Sequence, residues 1–101
     1  MFNGMGNAGN MQGMMKKVQK MQAEMLKMQE ELKTRTVETT VGGGALTIVA
    51  NGKKEIESIK IKPEAIDPDD VEMLQDMIVS GVNEALRKID EMTEREMSKI
   101  T

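Results

Sequence analysis

Residues 34–62, TRTVETTVGGGALTIVANGKKEIESIKIK, are the stretch on which the fold turns. Thr34 to Val41 is rich in Thr and Val and alternates at Val37, Thr39 and Val41, the period of a pleated strand with one covered face. Gly42, Gly43 and Gly44 then turn the chain, a job that suits glycine because positive φ costs it little. Ala45 to Ala50 alternates again, with Leu46, Ile48 and Ala50 on one face. It runs into Asn51-Gly52, the preferred pair for a two-residue hairpin turn. A third strand starts at about Lys53, and its apolar set changes phase between Ile56 and the pair Ile59 and Ile61, which predicts a bulge near Glu57 or Ser58. Pro63 stops it.

A helical pattern flanks this meander on each side. Upstream, Met11, Met14, Val18, Met21, Met25, Met28 and Leu32 alternate steps of three and four, a heptad stripe along one face of a helix that should run to about Lys33. Gly13 is the only weak point, and Asn10 is the candidate cap. Downstream, Asp67 is the expected N-cap, with Pro68 at the first helical position and further carboxylates near the positive end of the dipole. Val71, Leu74, Ile78, Val82, Ala85, Ile89 and Met92 keep one face of this second helix apolar as far as Met97 or Lys99. The expected fold is therefore α+β: helix, three-stranded antiparallel sheet, long helix (αβββα). At ~1.5 Å per residue the helices are roughly 35 and 45 Å long, against ~20–25 Å for the strands. They overhang the sheet, so they either pair beyond it or are covered by a second subunit.

Composition narrows the function. A chain of 101 residues holds one domain, here 11–101, preceded by a Gly- and Asn-rich stretch, 1–10, that reads as a flexible tail. Phe2 is the sole aromatic residue and there are 12 Met, so the core is made of flexible side chains and self-association is expected to supply what it lacks. Without Cys or His, thiolate nucleophiles, imidazole bases, disulfides and the usual zinc ligand sets are excluded. No secretory signal and no membrane span is legible, and a cytoplasmic location is expected. The net charge of −3 is unevenly spread: residues 1–33 carry +2, 34–66 carry +1 and 67–101 carry −6. Lys16, Lys17 and Lys20 precede any acidic residue, so the first helix begins cationic.

Three sharper motifs are weaker than their plain alternatives. The Met stripe suits a groove for apolar peptides or a cuprous site, but a two-helix seam needs no ligand. The glycine run lacks the spacing of a phosphate loop: Thr47 stands where the second Gly belongs and Lys54 where Ser or Thr should bind magnesium. The carboxylates from Asp67 to Asp76 are accounted for as helix-cap charges, with no second ligand cluster beside them. No catalytic, cofactor or metal residue is assigned, and no small-molecule substrate is expected.

Three passages taken in order resemble the YbaB/EbfC family of nucleoid-associated proteins across essentially the whole chain: KMQAEMLKMQEEL at 20–32, Gly42-Gly43-Gly44 with Asn51-Gly52 downstream, and EMLQDMIVSGVNEALRK at 72–88. The resemblance implies a homodimer whose sheets form the core and whose helices project like tweezers. It also implies duplex DNA as partner, with its conformation altered, in the nucleoid, for nucleoid organisation and gene regulation. On charge alone, Lys16, Lys17, Lys20 and Lys27 of the first helix and Arg87, Lys88, Arg95 and Lys99 of the last are the candidates to meet phosphates. Asp76, Glu84, Asp90, Glu94 and Glu96 would repel phosphate on the faces they occupy, so modest affinity is expected. A dimeric adaptor for a protein partner and a Met-rich holdase remain open as alternatives.

Overall fold

The computed structural model describes the backbone of residues 2–100 and the side chains of residues 10–100. Its elements follow the expected order: α1 (Phe2–Thr34), β1 (Thr36–Val41), β2 (Leu46–Asn51), β3 (Ile56–Ile61), a 3-10 turn at Pro63–Ala65 and α2 (Val71–Ser98). The expected tail at 1–10 falls on positions whose side chains, Asn10 excepted, lie outside the described residues. The backbone from Phe2 belongs to α1, so Asn10 lies within the helix and does not cap it.

The strands form one antiparallel sheet in the order β1-β2-β3. Val49 pairs with Ser58 and Ala50 with Ile56, which leaves Glu57 as the extra residue of a bulge and returns Ile56, Ile59 and Ile61 to one face. Between β1 and β2, Gly42, Gly43 and Gly44 have φ of 63°, 68° and 94°, so the turn needs all three glycines. The hairpin between β2 and β3 differs from expectation. Asn51 N–H donates to Glu55 O at 3.0 Å and Lys54 N–H to Asn51 O at 2.9 Å, and the positive φ, 64°, belongs to Lys54. The loop is therefore longer than two residues. The Asn51 side chain holds it by accepting from the backbone N–H of Lys53 (2.9 Å) and Glu55 (3.3 Å).

Gly52 serves a different purpose: a Cβ there would lie 1.7 Å from the backbone oxygen of Leu32. The last turn of α1 sits directly on this hairpin, and Leu32 is buried at the junction. Helix α2 starts later than expected. Asp70 is its N-cap, accepting from Met73 N–H at 3.2 Å, whereas Asp67 accepts from Asp69 N–H in the turn before it.

The core is a layer of Ile48, Ala50, Ala85 and Ile89, joined by half-buried Val37, Ile56, Val82 and Met92. α2 lies over β1 and β2 and scarcely touches β3. Its closest approach is at Gly81, where a Cβ would meet Ile48 Cδ1 at 2.3 Å and Val41 Cγ2 at 2.8 Å. Two substitutions separate these contacts. Gly81→Ala pushes on side-chain ends and should cost about 1–3 kcal/mol, whereas Gly52→Ala must displace a backbone carbonyl and should cost more than about 3 kcal/mol. Urea unfolding of the two variants checks the order.

Candidate nucleic-acid interface

The molecule measures 83 × 18 × 16 Å, and most of that length is helix. α2 runs from the β1–β2 loop, where Met77 Sδ would lie 2.9 Å from a Cβ on Gly42, to the β2–β3 turn, where Asp90 meets Lys54 at 2.8 Å. Its last turns continue past the sheet alongside the second half of α1: Arg35 pairs with Glu96 at 3.4 Å, and Ile100 lines a shallow groove with Glu24, Lys27, Met28 and Glu31. Farther out α1 has no neighbour among the described residues. Every residue from Asn10 to Glu24 is exposed, so about 20 Å of single helix projects as an arm.

The basic residues separate into two groups. Lys16, Lys17, Lys20 and Lys27 are exposed on α1, and none is in an ion pair among the described residues. At about 100° per residue, Lys16, Lys20 and Lys27 fall within roughly 40° of one another, on the side away from the Met stripe. Lys17 lies nearer the stripe. On α2, Arg87 is paired with Glu84, Lys99 with Glu96 at 3.1 Å, and Lys88 Nζ donates to the main-chain oxygen of Glu38 at 3.2 Å on the edge strand. Arg95 is in no ion pair among the described residues, but it shares a groove with Val37, Glu38, Lys88, Glu91 and Met92, whose two carboxylates offset its charge. The structure thus sets Lys16, Lys17 and Lys20 on one free arm, leaves Lys27 exposed at its base beside Ile100, and commits three of the four α2 cations to internal contacts.

Sequence reasoning did not single out Arg35, Lys53, Lys54, Lys60 and Lys62. Arg35 and Lys54 hold α2 to the sheet end through Glu96 and Asp90, pairings that depend on tertiary proximity and leave no local pattern. Lys60 and Lys62 are exposed around the end of β3; a bare count of basic residues would have found them, but no motif would.

No described helix is long and apolar enough to cross a membrane, and no group of three or more acidic side chains among the described residues is placed to hold a metal ion. What remains is a small αβββα protein whose one distinctive surface is a projecting, locally cationic helix. The model of the YbaB/EbfC DNA-binding family matches residues 5–101, and the chain belongs to that family. A nucleoid-associated protein of Ruminiclostridium cellulolyticum is 63% identical over 100 residues, spanning 99% of this chain and 87% of the relative. One from Pelotomaculum thermopropionicum is 64% identical over 93 residues, 92% of this chain and 89% of the relative. The crystal structure of an uncharacterized Helicobacter pylori protein shares the fold with a TM-score of 0.67 at 20% identity, over 83% of this chain and 98% of that one.

Two carboxylates among the described residues, Glu30 and Glu96, are held below their usual value by neighbouring cations. Glu30 is held below its usual 4.5 by the hydrogen bond and charge of Lys33. Glu96 is lowered from 4.5 first by the hydrogen bond from Lys99, with burial opposing and the charges of Lys99 and Arg35 adding. A carboxylate lowered in the folded state contributes stability above its unfolded value and loses it as pH falls through the folded one. The α1–α2 junction should therefore weaken below pH ~4.5, and Glu96→Gln should flatten that loss. Thermal melts of both proteins from about pH 6 to about pH 3 test this.

Proposed function

We propose that this chain is a non-enzymatic nucleoid protein that binds duplex DNA as a homodimer, alters its conformation and thereby influences nucleoid organisation and gene expression in the cytoplasm. The observation that carries the DNA reading is the α1 helix: Lys16, Lys20 and Lys27 form one exposed line with no ion pair among the described residues, on a family member whose relatives are named nucleoid-associated proteins. An exposed line of cations recruits phosphates through release of condensed counterions and needs no base-specific contact.

The homodimer reading rests on uncovered apolar surface. Val79, Val82 and Leu86 follow one flank of α2 in steps that lead to Asp90, which meets Lys54 of the β2–β3 turn, so this flank runs along the β3 side. Val79 is 60% exposed there and Ile59, on the open inner face of β3, 38% exposed. A second copy placed against β3 covers both, and an apolar surface shared by two copies suits a two-fold contact.

Binding to a labelled duplex tests the DNA reading. It should weaken with salt at a slope of about 0.9 per phosphate neutralised, and Lys16→Glu with Lys20→Glu should lower affinity at least about tenfold. No binding by the unaltered chain at about 50 mM salt overturns it in favour of a protein partner. Val79→Lys should halve the mass in sedimentation while leaving the fold intact, since the position is already exposed in the single subunit.

A further inference from the structure

The arm carries a second surface that the DNA reading does not use. Met11, Met14, Val18 and Met21 are 61%, 65%, 51% and 38% exposed, and with Met25 and Met28 they follow in alternating steps of three and four. That spacing is the seam of a two-helix coiled coil, and a lone helix in water gains nothing from it. We propose that the arms of two copies of this chain pair antiparallel along this seam, as an assembly contact distinct from the β3 side.

Charge selects both the partner and the direction. Lys17 and Glu24 occupy equivalent flanking positions one heptad apart, both exposed and neither in an ion pair among the described residues. In a parallel pair these positions face Gln22 and Gln29, and no charges meet. In an antiparallel pair with Val18 level with the partner's Met21, Lys17 meets the partner's Glu24 and, by symmetry, Glu24 meets the partner's Lys17. Sliding by one heptad in one direction sets Lys17 against the partner's Lys17. Sliding in the other direction sets Glu24 against the partner's Glu24. Only the central register gives two opposite-charge contacts and no like-charge one.

The same register aligns the rest of the stripe. It brings Met14 level with the partner's Met25, and Met11 level with the partner's Met28. Met28 also borders the shallow groove lined by Glu24, Lys27, Glu31 and Ile100, on the flank beside the seam. Lys16, Lys20 and Lys27 point away from the seam, so pairing leaves the line of DNA-facing cations in solvent. The contact thus joins two arms whether or not DNA is bound.

Because the chain has no cysteine, single-cysteine variants give a direct test on the full protein without DNA. K17C and E24C, mixed and mildly oxidised, should give the K17C–E24C cross-link several-fold over either self-linked product. Sedimentation supplies the second arm: K17E alone and E24K alone should each reduce the assembly of the unaltered protein to the β3-side dimer, and K17E/E24K should restore it. Both positions are exposed, so unchanged melting confirms that the fold is intact. Predominance of self-linked products, an unshifted mass in K17E, or failure of the double variant to recover overturns the pairing. Loss of DNA binding in the Lys16 and Lys20 variant, or its absence in the unaltered chain, bears on the DNA reading and leaves these outcomes as they stand.

Discussion

At Gly81 the backbone of α2 lies against Ile48 and Val41 so closely that a Cβ would fall 2.3 Å from Ile48 Cδ1. This contact decides what the rest of the molecule covers. Gly81, Ala85 and Ile89 are the buried residues of α2, a series that grows from no side chain to a large one as the helix leaves the sheet. A helix about 10 Å across spans roughly two strands set ~4.8 Å apart. Seated this low over β1 and β2, α2 cannot also cover β3 fully, and the inner face of β3 is left partly open, with Ile59 38% exposed. The bulge at Glu57 sharpens the consequence, because it returns Ile59 and Ile61 to that open face after Ile56.

The second constraint is the seat of α1 on the β2–β3 hairpin. Leu32 O fills the space in which a Gly52 side chain would stand, and Arg35 reaches Glu96 nearby. Both contacts belong to the last turn of α1 or the residues just after it. Among the described residues nothing comparable holds the helix before Glu24, so its long stripe of Met leaves the sheet unaccompanied. A fold of this size would normally spend such a stripe on its core. Here the stripe and the open face of β3 are surfaces of the subunit, and each offers a site at which a second copy can bury apolar area.

Periodicity made the elements legible, while the positions where two elements touch were hidden. The phase change between Ile56 and Ile59 located the bulge because a two-residue period cannot shift without an extra residue. Asn51-Gly52 misled, because a glycine required for close approach to Leu32 looks the same in sequence as one required for a turn. Asp67 misled for a similar reason: two carboxylates three residues apart can each cap something, and Asp70 caps the helix while Asp67 caps the turn before it. Among the candidate site residues, sequence alone could not tell Lys20, which is free, from Lys88, which is held by the edge carbonyl of Glu38. Helical spacing supplied the face of each lysine but not its tertiary neighbour.

The negative net charge is then reconciled with an anionic partner by distance. Asp67, Asp69, Asp70, Glu72 and Asp76 precede or begin α2 at the β1–β2 loop end, the end marked by Met77 beside Gly42. The arm leaves from the opposite end, marked by Lys54 with Asp90 and by Arg35 with Glu96. Between them lie the length of the sheet, roughly 20 Å, and a further ~20 Å or more of helix out to Lys20 and Lys16. At physiological salt a charge is screened over about 8 Å. A phosphate near the tip of the arm therefore senses Lys16, Lys17 and Lys20 and is shielded from the acidic cluster. Of the acids that α2 brings to the base of α1, Glu96 is already occupied by Arg35 and Lys99. For a molecule 83 Å long and 18 Å wide, local charge along the rod governs what each end attracts, and the total of −3 does not.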